Sequence, residues 1–408
     1  MTTPEPTPRI LLADADAFYA QVARLIDPAG AGRAELLLVG GSASGRGVVT
    51  SASYAARKFG VRSGMPTATA LRLCPDATVV GVPRRACSDR SKAIVRVLEN
   101  FTPVVEPASI DEMYLDMTGT EGLYGGEPLA ATAASIRQAV LDETEIAVSI
   151  GGGTRRLVAK LAAKRAKPHH TPEAGGVHIV PPGEEGAFLQ TFQLAEIPGI
   201  GPRFQERLAA LGLVSVTDAL KHEMRTLQQW LGDRTGRWLY RRTRGVDSTP
   251  VEQRERAKSL SRDETFAVDL DDDRDLVREL LRLADRASGD LRRHRWAART
   301  ITVKIRDRDF KTRQKSLTLD EPVISDRVIA SVSRALLEQL RAKRHVPARL
   351  LGVSLSNLTA QEDVDQLSLF EEEGAETGRD RALARAIDRV REKYGRGSLG
   401  RGSEQDWF

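Results

Sequence analysis

Strands seldom carry clustered acids, yet EPASIDEMYLDMTG at residues 106–119 reads as a half-buried strand holding Asp111, Glu112 and Asp116. Neighbouring side chains of a regular strand point to opposite faces. Asp111 and Glu112 can therefore converge on one site only at a strand end or turn, and Pro107 supplies such a break. A second acid-bearing strand, ILLADAD, lies far away at residues 10–16. If the two pair, Asp14 sits across from Asp111 and Glu112, and three carboxylates crowd together. Mutual repulsion raises their pKa values, and hard divalent cations such as Mg²⁺ remove the conflict. Two such ions about 3.5–4 Å apart would clamp the attacking and leaving oxygens of an in-line phosphoryl displacement. Taken alone, an Asp-Glu pair at a solvated strand end is equally ordinary, and the rest of the chain must separate the two readings.

At 408 residues the chain has room for two to four domains with sizeable cores. Apolar strands alternate with helix-like spacing through about residue 176, which indicates a mixed α/β core. AELLLVGG and IAVSIGGG are strand-like, and SKAIVRVLENF, LAATAASIRQAVLDET and TRRLVAKLAAKRAKP are helical. Residues 184–244 are helical and short-looped. A polar link, GVDSTPVEQRERA, then leads to a third region in which RTITVKIRD alternates cleanly. Beyond Thr359 the chain turns acidic and poor in large apolar residues apart from QLSLF, a composition that does not fold by itself. RALARAIDRVREKYG, near the end, has a modest amphipathic pattern.

Formal charge is +5, a mild excess compatible with a polyanion partner. Its distribution is more telling: residues 290–315 carry a net +7, and residues 361–380 a net −7. Cys74 and Cys87 form no CxxC pair, and the six histidines show no metal-ligand spacing, so a reduced, cytoplasmic chain is expected. No apolar run approaches about 20 residues, and no apolar run of signal-peptide length follows MTTPEPTPR, so neither secretion nor a membrane span is expected.

LLADADAFYAQV, VVTSASYAARKFGVRSGMP, PASIDEMYLD and LVAKLAAKRAKP together resemble the motif series of Y-family translesion DNA polymerases. They stand in that family's order and at similar intervals, nearest to the bacterial DinB or DNA polymerase IV branch, and the resemblance spans residues 9–357. It implies an α+β multidomain right hand. A ferredoxin-like palm would occupy 1–17 and 84–176, small fingers 18–83, and a helical thumb with a helix-hairpin-helix 177–244. A linker at 245–254 would lead to an α/β little finger at 255–357 and a tail at 358–408. The implied function is low-fidelity, low-processivity synthesis past damaged template by two-metal nucleotidyl transfer from dNTPs. The implied monomer would need primer-template DNA and two Mg²⁺ ions.

By the same resemblance the metal-binding and catalytic acids are Asp14, Asp111 and Glu112, with the backbone carbonyl of Ala15 completing the shell, and Asp116 is structural. Phe18, Tyr19, Ser51, Tyr54, Arg57 and Lys167 would hold the nucleotide. Tyr19 would be the steric gate against a ribose 2′-hydroxyl, with Val48 and Thr50 as the roof over the nascent pair. Arg suits the phosphate role because its planar fork binds phosphate bidentately. Two departures stand out: Met113 where a smaller residue is usual, and GGGTRR at 151–156 in place of a loop with an aliphatic residue and Asn-Lys. The second could change loop mobility or template contacts.

IPGIGPRFQERLAALGL resembles a helix-hairpin-helix, in which the backbone around Gly199 and Gly201 would cradle a DNA phosphate. Thr302, Lys304 and Arg306 would face a DNA backbone from a strand whose Ile301, Val303 and Ile305 pack inward. QLSLF, through Gln366, Leu367, Leu369 and Phe370, matches the peptide by which bacterial polymerases bind the sliding clamp. Two rivals remain at this point: a catalytically inactive, polymerase-shaped accessory protein that binds DNA and clamp, and a two-metal palm enzyme such as a cyclase. Loss of the acids would mark the first. The helix-hairpin-helix, basic third region and clamp peptide argue against the second.

Overall fold

Strand β1 (Ile10–Ala15) runs through the middle of a five-stranded sheet in the computed structural model, which describes residues 7–168, 175–252, 257–361, 376–395 and 398–399. The strand is apolar on both faces, and alternate residues divide between two cores. Leu11, Ala13 and Ala15 enter one, Ile10 and Leu12 the other. After α1 (Phe18–Ile26) the chain builds a separate small sheet from β2 (Leu37–Gly40), β3 (Val49–Ala52) and β4 (Thr78–Val80), ordered β3-β2-β4. Helices α2 (Tyr54–Lys58) and α3 (Thr67–Leu73) lie between β3 and β4 in sequence. Ala56 and Ala70 pack with Leu38, Val49 and the buried thiol Cys74.

The chain then returns through α4 (Arg84–Leu98), β5 (Val105–Pro107), β6 (Glu112–Asp116), α5 (Leu129–Thr144), β7 (Val148–Gly153), α6 (Arg156–Ala166) and β8 (Val177–Ile179). The large sheet is ordered β5-β6-β1-β7-β8. Val22, Ile94, Leu98, Ile136 and Val140 cover one face with Leu11 and Ala13, and Ala159 and Ala163 of α6 cover the other.

The glycine run lies in a strand. Gly151–Gly153 end β7, as the strand-like IAVSIGGG implies, and are fully buried, so of the GGGTRR segment compared with a loop only Thr154 and Arg155 lie between strand and helix. A Cβ on Gly151 would sit 1.8 Å from the Ala163 nitrogen and 2.3 Å from the Ala159 oxygen. Helix α6 thus rests its backbone on the strand, an approach only glycine permits.

Five short helices follow: α7 (Glu185–Gln190), α8 (Pro202–Ala209), α9 (Val216–Leu220), α10 (Met224–Leu231) and α11 (Asp233–Thr243). Phe192, Leu208, Leu227 and Leu239 form their core together with Leu157 and Leu161 of α6. The link after α11 is tied to the large sheet. Val251 is buried beside Ile10 and Tyr114, and Glu106 accepts from the Glu252 backbone N–H and pairs with Arg156.

The chain divides into two compact units, residues 1–254 and 255–408. In the second, β9 (Ser259–Leu270), α12 (Asp273–Arg293), β10 (Trp296–Asp307), β11 (Thr312–Val323), α13 (Asp326–Lys343) and β12 (Ala348–Ala360) form an antiparallel sheet ordered β11-β10-β12-β9. Ile301, Val303 and Ile305 are fully buried against Leu280, Leu283 and Leu337 of the two helices, as the alternation predicts.

The acidic tail departs from expectation. Residues Gly378–Tyr394 form a long helix held on this unit, with Ala384 buried. Asp388 pairs with Arg292 at 2.6 Å, Arg391 with Asp285 at 2.9 Å, and Asp380 with Arg327 at 2.7 Å. Glu376 caps the approach to α13 by accepting from the backbone N–H groups of Ile324 and Ser325. Local composition missed this because the partners lie 51 to 106 residues upstream. Gln366, Leu367, Leu369 and Phe370 lie outside the described residues.

Candidate active site

Pairing of β1 with β6 sets Asp14 directly across from Glu112. The break before β6 is a tight turn: the Ala108 and Ser109 N–H groups donate to the Glu112 carbonyl at 2.9 and 3.2 Å. Ser109 accepts from the Glu112 N–H at 3.0 Å and donates to Asp111 at 2.5 Å. Asp111 therefore leaves the ladder while its carbonyl still accepts from the Ala15 N–H at 2.9 Å. The converging strand end expected around EPAS is present. Asp116, at the far end of β6, accepts from the Thr118 N–H and takes no part in the site.

Two lysines of one segment answer the acids. Lys160, on α6, donates to both Glu112 oxygens, at 3.0 and 2.7 Å. Lys167 follows the helix immediately before Pro168, and a residue in that position is driven out of helical backbone geometry. It is extended, with φ −64° and ψ 136°. Its ammonium meets Asp14 at 2.7 Å and Asp16 at 3.2 Å. Burial pushes the Asp14 carboxyl up to about 6 despite Lys167, and the charges of Glu112 and Asp111 add to the rise. Burial opposes the charge on Lys167, but Asp14 and Asp16 outweigh it and hold its pKa above the ordinary lysine value.

Asp16 received no role from the sequence, although it stands two residues after Asp14. It is 6% exposed, and its carboxylate also accepts from Tyr54 at 2.9 Å and from Ser149 at 3.0 and 2.9 Å. The chain turns from β1 into α1 just after it, through Ala17 at φ 45°. Burial, followed by the charge and hydrogen bond of Asp16, raises the Tyr54 phenol pKa far above its usual value. The Arg57 guanidinium lies 5.0 Å from the Tyr54 ring centre, with its Nε on the Ala52 carbonyl at 3.0 Å. Ser51 is buried on β3.

Tyr19 lines a cleft with Thr50, Val82, Arg84, Cys87 and Ile110. Phe18 is buried beneath it, edge-on at 5.5 Å between ring centres. Val48 is 47% exposed and bridges to Pro66. Arg84, at the start of α4, was not anticipated, since nothing in RRACSDR marks which arginine turns toward Tyr19.

The other expected contacts belong to other elements. Gly199 has φ 98°, and a Cβ there would approach Trp238 to 2.9 Å, while Gly201 caps α8. In the second unit Lys304 pairs with Asp263 at 2.9 Å and Arg306 donates to Thr312 at 2.8 Å.

Comparison with known proteins accounts for these features together. The model of the impB/mucB/samB family matches residues 13–164, that of its C-terminal domain 257–369, and that of the DNA polymerase-iota thumb 195–247. DNA polymerase IV of Halorhodospira halophila is 37% identical over 86% of this chain and 95% of its own length. The chain belongs to the Y family of DNA polymerases.

DNA polymerase IV of Dehalococcoides mccartyi is 34% identical over 96% of both chains. A solved Y-family chimera of Dbh and Dpo4 superposes with a TM-score of 0.75 at 27% identity, covering 86% of this chain and 99% of that one. An insertion ternary complex of Dbh DNA polymerase gives 0.60 at 27% identity, over the same 86% and 99%. A Y-family polymerase performs translesion synthesis and depends on divalent metal. The donor set fits a hard cation, since it consists of carboxylates facing one another across a strand pair with Asp14 destabilised in its charged form. Among the described residues no three acidic, His or Cys side chains already close into a metal cage. The acids instead rest on Lys160 and Lys167. All three acids are present and nothing favours an inactive accessory protein. Among the described residues no helix is long and apolar enough to cross a membrane.

Proposed function

We propose that this Y-family polymerase joins a primer 3′-hydroxyl to the α-phosphate of a dNTP at Asp14, Asp111 and Glu112, releasing pyrophosphate. The observation that carries the reading is the register of Asp14 opposite Glu112, with a lysine on each. The three acids and the Ala15 carbonyl would hold two Mg²⁺ ions. When bound, these would neutralise developing phosphate charge and lower the pKa of the primer hydroxyl.

Tyr54, Arg57, Ser51 and Lys167 would receive the triphosphate. Anchoring of Arg57 through Nε pre-sets its fork, and Lys167 supplies a desolvated positive charge. Tyr19, seated against Phe18, would exclude a ribose 2′-hydroxyl, and Thr50 and the exposed Val48 would leave a permissive roof. The backbone around Gly199 and Gly201, with Lys304 and Arg306, would bear on the DNA backbone. Those two cations would exchange Asp263 and Thr312 for phosphate. Gln366, Leu367, Leu369 and Phe370 would engage a sliding clamp, with the polymerase acting as a monomer.

The test is extension of a primed template with Mg²⁺ and dNTPs, run beside Asp111→Ala and Glu112→Ala. Extension by the wild type that is lost in both variants is expected. A wild type that binds DNA but extends nothing overturns the reading.

A further inference from the structure

One buried carboxylate joins three separate segments of the chain, and the site as read so far gives it no task. Asp16 is met by Tyr54 from α2, Ser149 from β7 and Lys167 from beyond α6. These partners stand 38, 133 and 151 residues away in sequence. Ser149 lies within bonding distance of both Asp16 oxygens, which fixes the plane of the carboxylate. The Asp16 backbone is fixed as well: its N–H donates to the Ala147 carbonyl at 3.0 Å and its carbonyl accepts from Gln21.

Donor counting separates its two functional partners. An ammonium has three N–H donors, and Lys167 directs them at Asp14 and Asp16 with one to spare. A phenol has one, and Tyr54 places it on Asp16. Lys167 can therefore take up an anion without leaving Asp16, whereas Tyr54 can donate to an anion only by leaving it.

We propose that Asp16 is the positioning residue of the triphosphate subsite, holding Lys167 in place throughout and parking the Tyr54 hydroxyl until a phosphate oxygen arrives. The proposal rests on the polymerase reading above and adds a residue to it. Asp16 touches no reacting atom and acts through Tyr54 and Lys167. A Lys167 deprived of this carboxylate is held by Asp14 alone, so its ammonium and the Tyr54 hydroxyl both lose the anchor that places them at the subsite. The chemical group recognised is the distal phosphates of a nucleoside triphosphate.

Asp16→Asn keeps the shape of the side chain and removes its charge. In single-nucleotide insertion the variant is expected to raise the KM for dNTP about tenfold while kcat changes less than about twofold. The preference for dNTP over the corresponding dNDP should shrink by a similar factor, because the distal phosphate is what Tyr54 and Lys167 receive. Calorimetric titration of metal-free protein with inorganic tripolyphosphate should show the same loss of affinity. Ser149→Ala, which keeps the charge but frees the carboxylate, should give a smaller shift in the same direction. It stands in if Asp16→Asn fails to fold by thermal melt. A fall in kcat with KM and the dNTP-to-dNDP ratio unchanged overturns the proposal, as does unaltered tripolyphosphate affinity. A wild type that extends no primer would instead sink the polymerase reading, and the tripolyphosphate titration would still decide the role of Asp16.

Discussion

Lys160 reaches across from helix α6 to hold both oxygens of Glu112, at 3.0 and 2.7 Å. The pair is partly open to solvent, so it contributes under about 1 kcal/mol to stability. Its consequence lies in competition, since the ammonium occupies the ligand atoms a cation would use. Lys160→Met is expected to lower the Mg²⁺ concentration for half-maximal primer extension by about two- to fivefold, leaving the melting temperature within a few degrees of wild type. An unchanged or higher Mg²⁺ requirement would show that Lys160 orients Glu112 and does not compete for it.

Asp14 gives the site a pH dependence. Its pKa near 6 lies above the ordinary carboxyl value of 3.8. The folded protein therefore takes up a proton there more readily than the unfolded chain, and stability from this group falls as pH rises from about 4 to 6. A metal held by Asp14, as proposed, would have to displace the same proton. The Mg²⁺ half-saturation should rise about fivefold from pH 6 to pH 5 and stay nearly level between pH 7 and 8. Metal titration of the wild type at each pH reads this directly, and a flat profile below pH 6 would contradict it.

Gly151 and Gly152 are neighbours with different obligations. A Cβ at Gly151 meets helix backbone, whereas at Gly152 it meets the terminal methyl groups of Ile179 and Leu11 at 2.5 and 2.7 Å. Side-chain ends can rotate aside and a helix backbone cannot. Gly151→Ala is expected to cost about 3 kcal/mol or more, and Gly152→Ala about 1 kcal/mol. Chemical denaturation of both variants checks the order, and equal losses would mean that α6 shifts freely on the sheet.

Arg292 is buried between Asp326 and Asp388, joining α13 to the C-terminal helix. Its removal takes the guanidinium charge from the buried Asp326 carboxylate, so Arg292→Ala should destabilise the second unit by about 3–5 kcal/mol. Arg327→Ala, at an exposed arginine paired with Asp380, should cost under about 1 kcal/mol. Comparable losses in the two melts would remove the distinction between the sites.

The residues that were legible in advance are those whose type and spacing alone impose a conflict. Asp14, Asp111 and Glu112 advertise themselves because acids on apolar strands need an explanation, and the strand pairing supposed for them is present, with Asp14 across from Glu112. The inward alternation of Ile301, Val303 and Ile305 was readable for the same reason. Asp16 stayed hidden because its meaning comes from Tyr54, Ser149 and Lys167, none of them local. The strand holding Gly151–Gly153 was legible but the reason for its glycines was not, because a bare glycine run does not reveal a helix backbone pressing on it. The C-terminal helix was underrated because its acids and arginines find their counterparts on α12 and α13.

That helix also sets the working boundary of the second unit. Asp380, Asp388 and Arg391 each hold a partner on α12 or α13, and Glu376 is fastened to Ile324 and Ser325. A chain cut after Ala360 would keep all four strands of the sheet and lose every one of these ties. The boundary of this unit therefore lies beyond its last strand, at a brace that counting strands would never show.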